Sequence, residues 1–90
     1  MKKVIVTGGS RGIGAAIVRR FTKNGDSVAF IYKSSDDAAK KLHEETGAFA
    51  IKSDISDAES VKNAVLQAVE YLSGVDILVN CAGISQIKLF

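Results

Sequence analysis

Eight residues near the start of the chain, Thr7-Gly8-Gly9-Ser10-Arg11-Gly12-Ile13-Gly14, combine glycines, a hydroxyl and a cation in a pattern suited to an anion. Glycine lets a backbone turn sharply and lets a ligand approach where a Cβ would stand. A helix that begins at the end of such a turn offers its first amides and a partial positive charge, which suits a phosphate. Gly9 and Gly14 have the spacing of a triphosphate-binding loop, but Ala15 and Ala16 stand where that loop requires a lysine and a hydroxyl residue. The triphosphate reading fails on that point. A dinucleotide's pyrophosphate is the alternative, although the spacing is Thr-Gly-x-x-x-Gly-x-Gly; Ile17 takes the last glycine position of the commoner Gly-x-Gly-x-x-Gly. A ligand-free strand-to-helix turn competes with it, but such a turn does not need glycines at 8, 12 and 14 together.

The flanking segments must hold that turn in place. Val4-Ile5-Val6 is a β-branched apolar run of the kind buried on both faces of a sheet. After the turn, Ile13, Ile17 and Phe21 recur at helical spacing with Ala16 and Val18 beside them. Arg19, Arg20 and Lys23 lie opposite, and Asn24-Gly25 supplies the stop. Ser27 to Tyr32 reads as a second strand. Ser34 or Ser35 can cap a second helix whose first turn holds Asp36 and Asp37, whose apolar face is Ala38, Ala39 and Leu42, and which ends at Gly47. Ala48 to Lys52 makes a third strand. Ser56-Asp57-Ala58-Glu59 has capping-box spacing ahead of a stripe at Val61, Ala64, Val65, Ala68, Val69 and Leu72, closed by Ser73-Gly74. Val75 to Asn80 is a fourth strand. The alternation predicts an α/β fold, a Rossmann-like three-layer parallel sheet of four strands in the order 3-2-1-4 with three helices. Helices one and two then share one face and helix three takes the other. A ligand belongs in the crevice where the strand order reverses, between strands one and four.

With these residues in view, the chain resembles the short-chain dehydrogenase/reductase family. Thr7-Gly8-x-x-x-Gly12-x-Gly14 looks like that family's cofactor turn. Asp54, with Ile55 beside it, sits where the family hydrogen-bonds adenine, and Asn80-Cys81-Ala82-Gly83 is similar to the family's Asn-Asn-Ala-Gly, with cysteine replacing the second asparagine. The likeness runs from Val4 to about Ser85, and Ser10-Arg11-Gly12-Ile13-Gly14 together with Tyr32-Lys33-Ser34-Ser35 looks most like 3-oxoacyl-[acyl-carrier-protein] reductases. It implies a single dinucleotide-binding half-domain over residues 1–90, with Asn80, Ala82 and Gly83 on the nicotinamide-ribose side. It also implies carbonyl reduction in the complete enzyme, through a Tyr-x-x-x-Lys acid/base pair. Neither tyrosine fits: Tyr32 is followed four residues on by Asp36, and Tyr71 by Val75. The family's catalytic segment is expected beyond Phe90, so these residues alone are expected to be inactive, truncated before the later strands. A free-standing nucleotide-binding or interaction module without catalysis is the alternative.

The cofactor choice turns on the tip of strand two. An NAD site places a carboxylate there for the ribose 2′-hydroxyl. No acid stands near Tyr32; Lys33 and Ser34 follow it, and Arg11 comes from the glycine turn. A 2′-phosphate would gain charge-assisted hydrogen bonds from these groups, so NADP(H) is expected. Lys33 read instead as a solvated charge and Arg11 as a helix-start residue are the plainer accounts. Cys81 reads as a small apolar side chain at a strand end and His43 as a solvated helix residue. No ligand cluster points to a metal.

Composition excludes other classes. In 90 residues, 47% are hydrophobic and 24% charged, a globular balance. A net charge of +2 without a basic block argues against nucleic acid as a partner. A lone cysteine cannot form an internal disulfide, and the short apolar run after Met1-Lys2-Lys3 is no signal peptide, so a reducing, cytoplasmic setting without membrane insertion is expected. Strand four would lie at an open sheet edge, so self-association through that edge or through the Ile84–Phe90 tail is expected.

Overall fold

A computed structural model describes residues 1–8, 12–54 and 56–81. The elements run β1 (Lys3–Thr7), α1 (Gly12–Lys23), β2 (Ser27–Tyr32), α2 (Asp36–Thr46), β3 (Phe49–Lys52), α3 (Ala58–Leu72) and β4 (Ile77–Asn80). The strands form one parallel sheet in the order β3-β2-β1-β4, as the sequence predicts. β1 is central. It pairs with β2 from Lys3↔Ser27 to Thr7↔Ile31 and with β4 from Val4↔Ile77 to Thr7↔Asn80.

Alternation along the strands divides the core into two layers. Val4, Val6, Val28 and Phe30 face Ala15 and Val18 of α1 and Ala39 and Leu42 of α2. Ile5, Ala29, Ile31 and Ile51 face Ala64, Ala68 and Leu72 of α3. The three central residues of β1 are fully buried, which accounts for a run with no polar alternation. Tyr71 of α3 is exposed but stacks on Phe49 of β3, with ring centroids 4.0 Å apart. β3 and β4 are the sheet edges among the described residues, and none of the described helices is long and apolar enough to cross a membrane.

Local expectations are corrected at the face of α1 and at two strand starts. The inward side of α1 is Gly14, Ala15 and Val18, with Ile17 and Phe21 packed at its margin, whereas Ile13 is 66% exposed and Ala16 is exposed. Gly14 and Ala15, not Ile13, are the buried residues of the first turn, so its small side faces the sheet. The third and fourth strands start later than expected, at Phe49 and Ile77. Asp76 bonds the start of β1 in both directions, its carboxylate accepting from the Lys3 N–H at 2.8 Å and its own N–H donating to the Lys3 carbonyl at 2.7 Å.

The helix caps also differ. Ser35 occupies the N-cap of α2 but its side chain caps nothing, so Asp36 and Asp37 supply the only acidic complement to that helix start. At α3 the cap is Asp57, not Ser56. Asp57 Oδ1 accepts from the Glu59 N–H at 3.1 Å and Oδ2 from the Ser60 hydroxyl at 3.0 Å. Because the helix begins at Ala58, Ser56 lies one residue too early to cap it. The C-caps match the sequence: Gly47 and Ser73 both adopt the left-handed conformation at φ 77° and 62°. His43 is exposed, yet its Nδ1 lies 2.7 Å from the Ala48 carbonyl, which ties α2 to the approach of β3.

This assignment separates two neighbouring residues. Asp57→Ala should lower stability by about 1 kcal/mol, the usual cost of losing a cap. Ser56→Ala should change it by less than about 0.5 kcal/mol. Urea denaturation midpoints at matched slope check the difference, and the reverse order would restore Ser56 as the cap.

Candidate cofactor site

The C-terminal ends of the strands meet where the order reverses. α1 leaves β1 on one face, and α3 covers the other. At the end of β1, Thr7 is buried and its hydroxyl donates to Asn80 Oδ1 at 2.8 Å, locking the tips of β1 and β4 together. The Cys81 N–H donates to the Thr7 carbonyl at 3.0 Å and continues that pairing by one residue. Gly8, at φ 76°, donates its N–H to the Ile31 carbonyl at 2.7 Å and then turns the chain away. Gly12 opens α1 at φ 58°, a conformation that favours glycine. A Cβ built there would meet nothing within 4 Å among the described residues. The first amides of a helix have no partner within it. The structure therefore brings Thr7, Gly8, Gly12, Ile13 and Gly14 to one place, at the strand-order reversal. Gly9, Ser10 and Arg11 lie outside the described residues.

The second cluster forms at the ends of β2 and β3. Tyr32 is the last residue of β2, half-buried, its ring 6.2 Å from that of Phe30. Lys33 and Ser34 follow and are exposed. Lys33 Nζ lies 3.8 Å from Asp54 Oδ1, with the two side chains 59% and 52% exposed. A pair so long and so solvated contributes little, so Lys33 can leave it for a stronger anion at small cost. Asp54 has a firmer partner: Oδ1 accepts from the Ser56 hydroxyl at 2.6 Å and from the Ser56 N–H at 3.0 Å. The Ser56 hydroxyl, then its N–H, then the charge of Lys33 hold this carboxyl below its ordinary range. A cavity of about 560 Å³ opens between Lys33, Ser34, Asp54 and the Asn63 and Gln67 side of α3. Ser53 lines it, and the buried Ser53 hydroxyl has no hydrogen-bond partner among the described residues.

Ile55, Ala82 and Gly83, also expected at the site, lie outside the described residues. Among those described, no three His, Cys, Asp or Glu side chains converge as a metal would require. Sequence reasoning missed Ser56, whose Asp-x-Ser spacing is that of a side-chain turn but which overlaps the false capping box. It also missed Ser53, Asn63 and Gln67, which only the packing of α3 against β3 brings to the cavity.

A parallel sheet in this order, with a glycine turn at its reversal point, defines the nucleotide-binding α/β class. The family profile described as short chain dehydrogenase matches residues 2–90, and the chain belongs to the short-chain dehydrogenase/reductase family. The chain is 52% identical over 83 residues to the cyclic-di-GMP-binding biofilm dispersal mediator protein of Escherichia coli K12, covering 92% of this chain and 33% of the relative. It is 42% identical to the acetoacetyl-CoA reductase of Paracoccus denitrificans, covering 99% and 37%. Against the 3-oxoacyl-[acyl-carrier-protein] reductase FabG of Staphylococcus aureus Mu50 the identity is 38%, covering 98% and 38%. Among solved structures, BdcA of E. coli in complex with NADPH superposes with a TM-score of 0.77 at 52% identity, over 92% of this chain and 32% of that one. A Burkholderia cenocepacia short chain dehydrogenase in complex with NADP gives a TM-score of 0.89 at 43% identity, over 94% and 37%. The chain spans about a third of the length of the relatives it matches.

Cys81 lies between Asn80 and the rest of the motif, in a setting that disfavours its thiolate. It packs against the Val79 side of the core, and burial pushes its thiol above the ordinary 9.0. Since the thiolate is the reactive form, iodoacetamide should modify Cys81 slowly at neutral pH, and the rate should go on climbing with pH past the point where an ordinary thiol levels off. Fast labelling near pH 7, followed by mass spectrometry, would show an activating group close to the sulfur.

Proposed function

We propose that the protein binds NADP(H) across the ends of β1 and β4 and forms the cofactor-holding part of a short-chain oxidoreductase. The observation that carries this reading is the left-handed Gly12 at the start of α1, beside the strand-order reversal. Ser10 and the amides of Gly12, Ile13 and Gly14 would take the pyrophosphate. Arg11, Lys33 and Ser34, beside Tyr32, would take the 2′-phosphate, and no acid at the tip of β2 opposes them. Asp54 and Ile55 would hold the adenine, and Asn80, Ala82 and Gly83 the nicotinamide ribose. Thr7 acts through Asn80, and Gly8 sets the turn. When bound, the nicotinamide supplies hydride chemistry. The residues here hold and orient it, and no Tyr-x-x-x-Lys acid stands among them. The NADPH and NADP complexes of structural neighbours support the cofactor. The likeness to acetoacetyl-CoA and 3-oxoacyl reductases supports a 3-oxoacyl thioester as substrate of the whole protein. The lone cysteine supports a reducing, cytoplasmic setting.

A second reading, a nucleotide-binding module without catalysis, is favoured by the 52% identity to a relative named for binding cyclic-di-GMP. Calorimetric titration separates the two. NADPH should bind at least ~10-fold more tightly than NADH, given the usual strength of a charged hydrogen bond. Replacing both Arg11 and Lys33 by Ala should erase that preference; equal losses for both cofactors would overturn the NADP assignment. Cyclic-di-GMP binding more tightly than NADPH would favour the second reading.

We further propose that copies of the chain associate through β4, a sheet edge among the described residues. Light scattering at high concentration should show species larger than a monomer, and a monodisperse monomer would refute it.

A further inference from the structure

We propose that Ser56 is a positioning residue for the adenine end of the site, fixing Asp54 through one carboxylate oxygen so that the other can accept from a base's exocyclic amine. The proposal rests on the NADP(H) reading above. The geometry is one-sided: the Ser56 hydroxyl at 2.6 Å, the Ser56 N–H at 3.0 Å and Lys33 Nζ at 3.8 Å all converge on Oδ1. Among the described residues, no hydrogen bond or ion pair is made to Oδ2 of Asp54. A half-exposed aspartate at a strand end would otherwise sample several rotamers, and a ligand would have to order it on binding. Two hydrogen bonds to a charged oxygen remove that freedom beforehand.

Lys33 cannot do the same work. It is the cation that a 2′-phosphate would recruit, so an Asp54 held only by Lys33 would lose its partner when the phosphate arrived. Ser56 carries no charge, and its hold on Asp54 survives that exchange. The bonds also favour the ionised carboxyl, the form that accepts from an amine without offering a proton in return. Lys33 and Asp57, whose N–H donates to the Asp54 carbonyl at 3.0 Å, are the other charged residues bonded to this aspartate. Asp57, not Ser56, caps α3, so removing the Ser56 hydroxyl need not disturb the helix.

The test compares NADPH with its hypoxanthine analogue, in which a carbonyl replaces the adenine amine, using calorimetry on the wild type, Ser56→Ala and Ser56→Thr. The wild type should prefer NADPH. Ser56→Ala should weaken NADPH about 5-fold, the scale of one net hydrogen bond, and leave the analogue nearly unchanged. Ser56→Thr should restore the preference, and the denaturation midpoints of the variants should match the wild type. Equal weakening of both ligands, no weakening of either, or no preference in the wild type would overturn the role of Ser56. A wild-type protein that binds neither ligand would overturn the cofactor reading as well, which distinguishes the two failures.

Discussion

The structure depends on β1 being paired on both sides. β2 continues from it in one direction and β4 in the other, so the sheet order must reverse at this strand. Val4, Ile5 and Val6 are fully buried against helices on opposite faces, and a slip of one residue would exchange the two layers. The same register places Thr7 opposite both Ile31 and Asn80. The Thr7–Asn80 hydrogen bond and the Gly8 N–H to Ile31 thus follow from core packing begun several residues earlier. The crevice is positioned by the hydrophobic layers, and its polar residues come with it.

In the proposed binding mode, electrostatics would divide the crevice between two tasks. The amides at the start of α1 would act through fixed backbone geometry, with no side chain to reorient. At the far end, by β2 and β3, recognition would fall to side chains, and the structure restrains one of them. Asp54 is anchored by a neutral neighbour, while Lys33 remains in a loose, solvated contact. A cation held too well by its own carboxylate would resist transfer to a phosphate. A carboxylate held only by that cation would be released at the moment it is needed. Separating the two holds avoids both difficulties.

The strands and their order were legible because buried parallel strands carry their signal in short runs such as Val4-Ile5-Val6 and Ser27–Tyr32, bounded by turns. The helix ends were legible at Gly47 and Ser73-Gly74, where left-handed geometry stops the helix. The start of α2 at Asp36 was legible as well, but the cap of α3 was not. Ser56-x-x-Glu59 matches a capping box, but Asp57 competes for the same amide and wins by lying next to the first helical residue, while Ser56 turns back to Asp54. The α1 stripe misled for a related reason. Bulk suggested Ile13, yet the side turned inward carries Gly14 and Ala15, which lack bulk. The glycine turn suggested a phosphate site through residue types alone. The hold on Asp54 and the cavity beside α3 needed elements brought together in space.

The relatives sharpen what this part of the fold encodes. A protein named for binding cyclic-di-GMP is 52% identical to the chain, while two named as reductases are 42% and 38% identical. Proteins with such different names share the same third of their length with this one. The features that this chain carries in that third are the sheet reversal, the glycine turn and the tips of the strands. On the proposed reading their chemistry is recognition of a nucleotide, which constrains backbone conformation at a few positions and leaves the reaction undetermined. Identity over this region would then measure kinship in how a nucleotide is held. Whether a hydride then moves depends on an acid and a substrate pocket, and neither is built from the residues that these strand ends bring together.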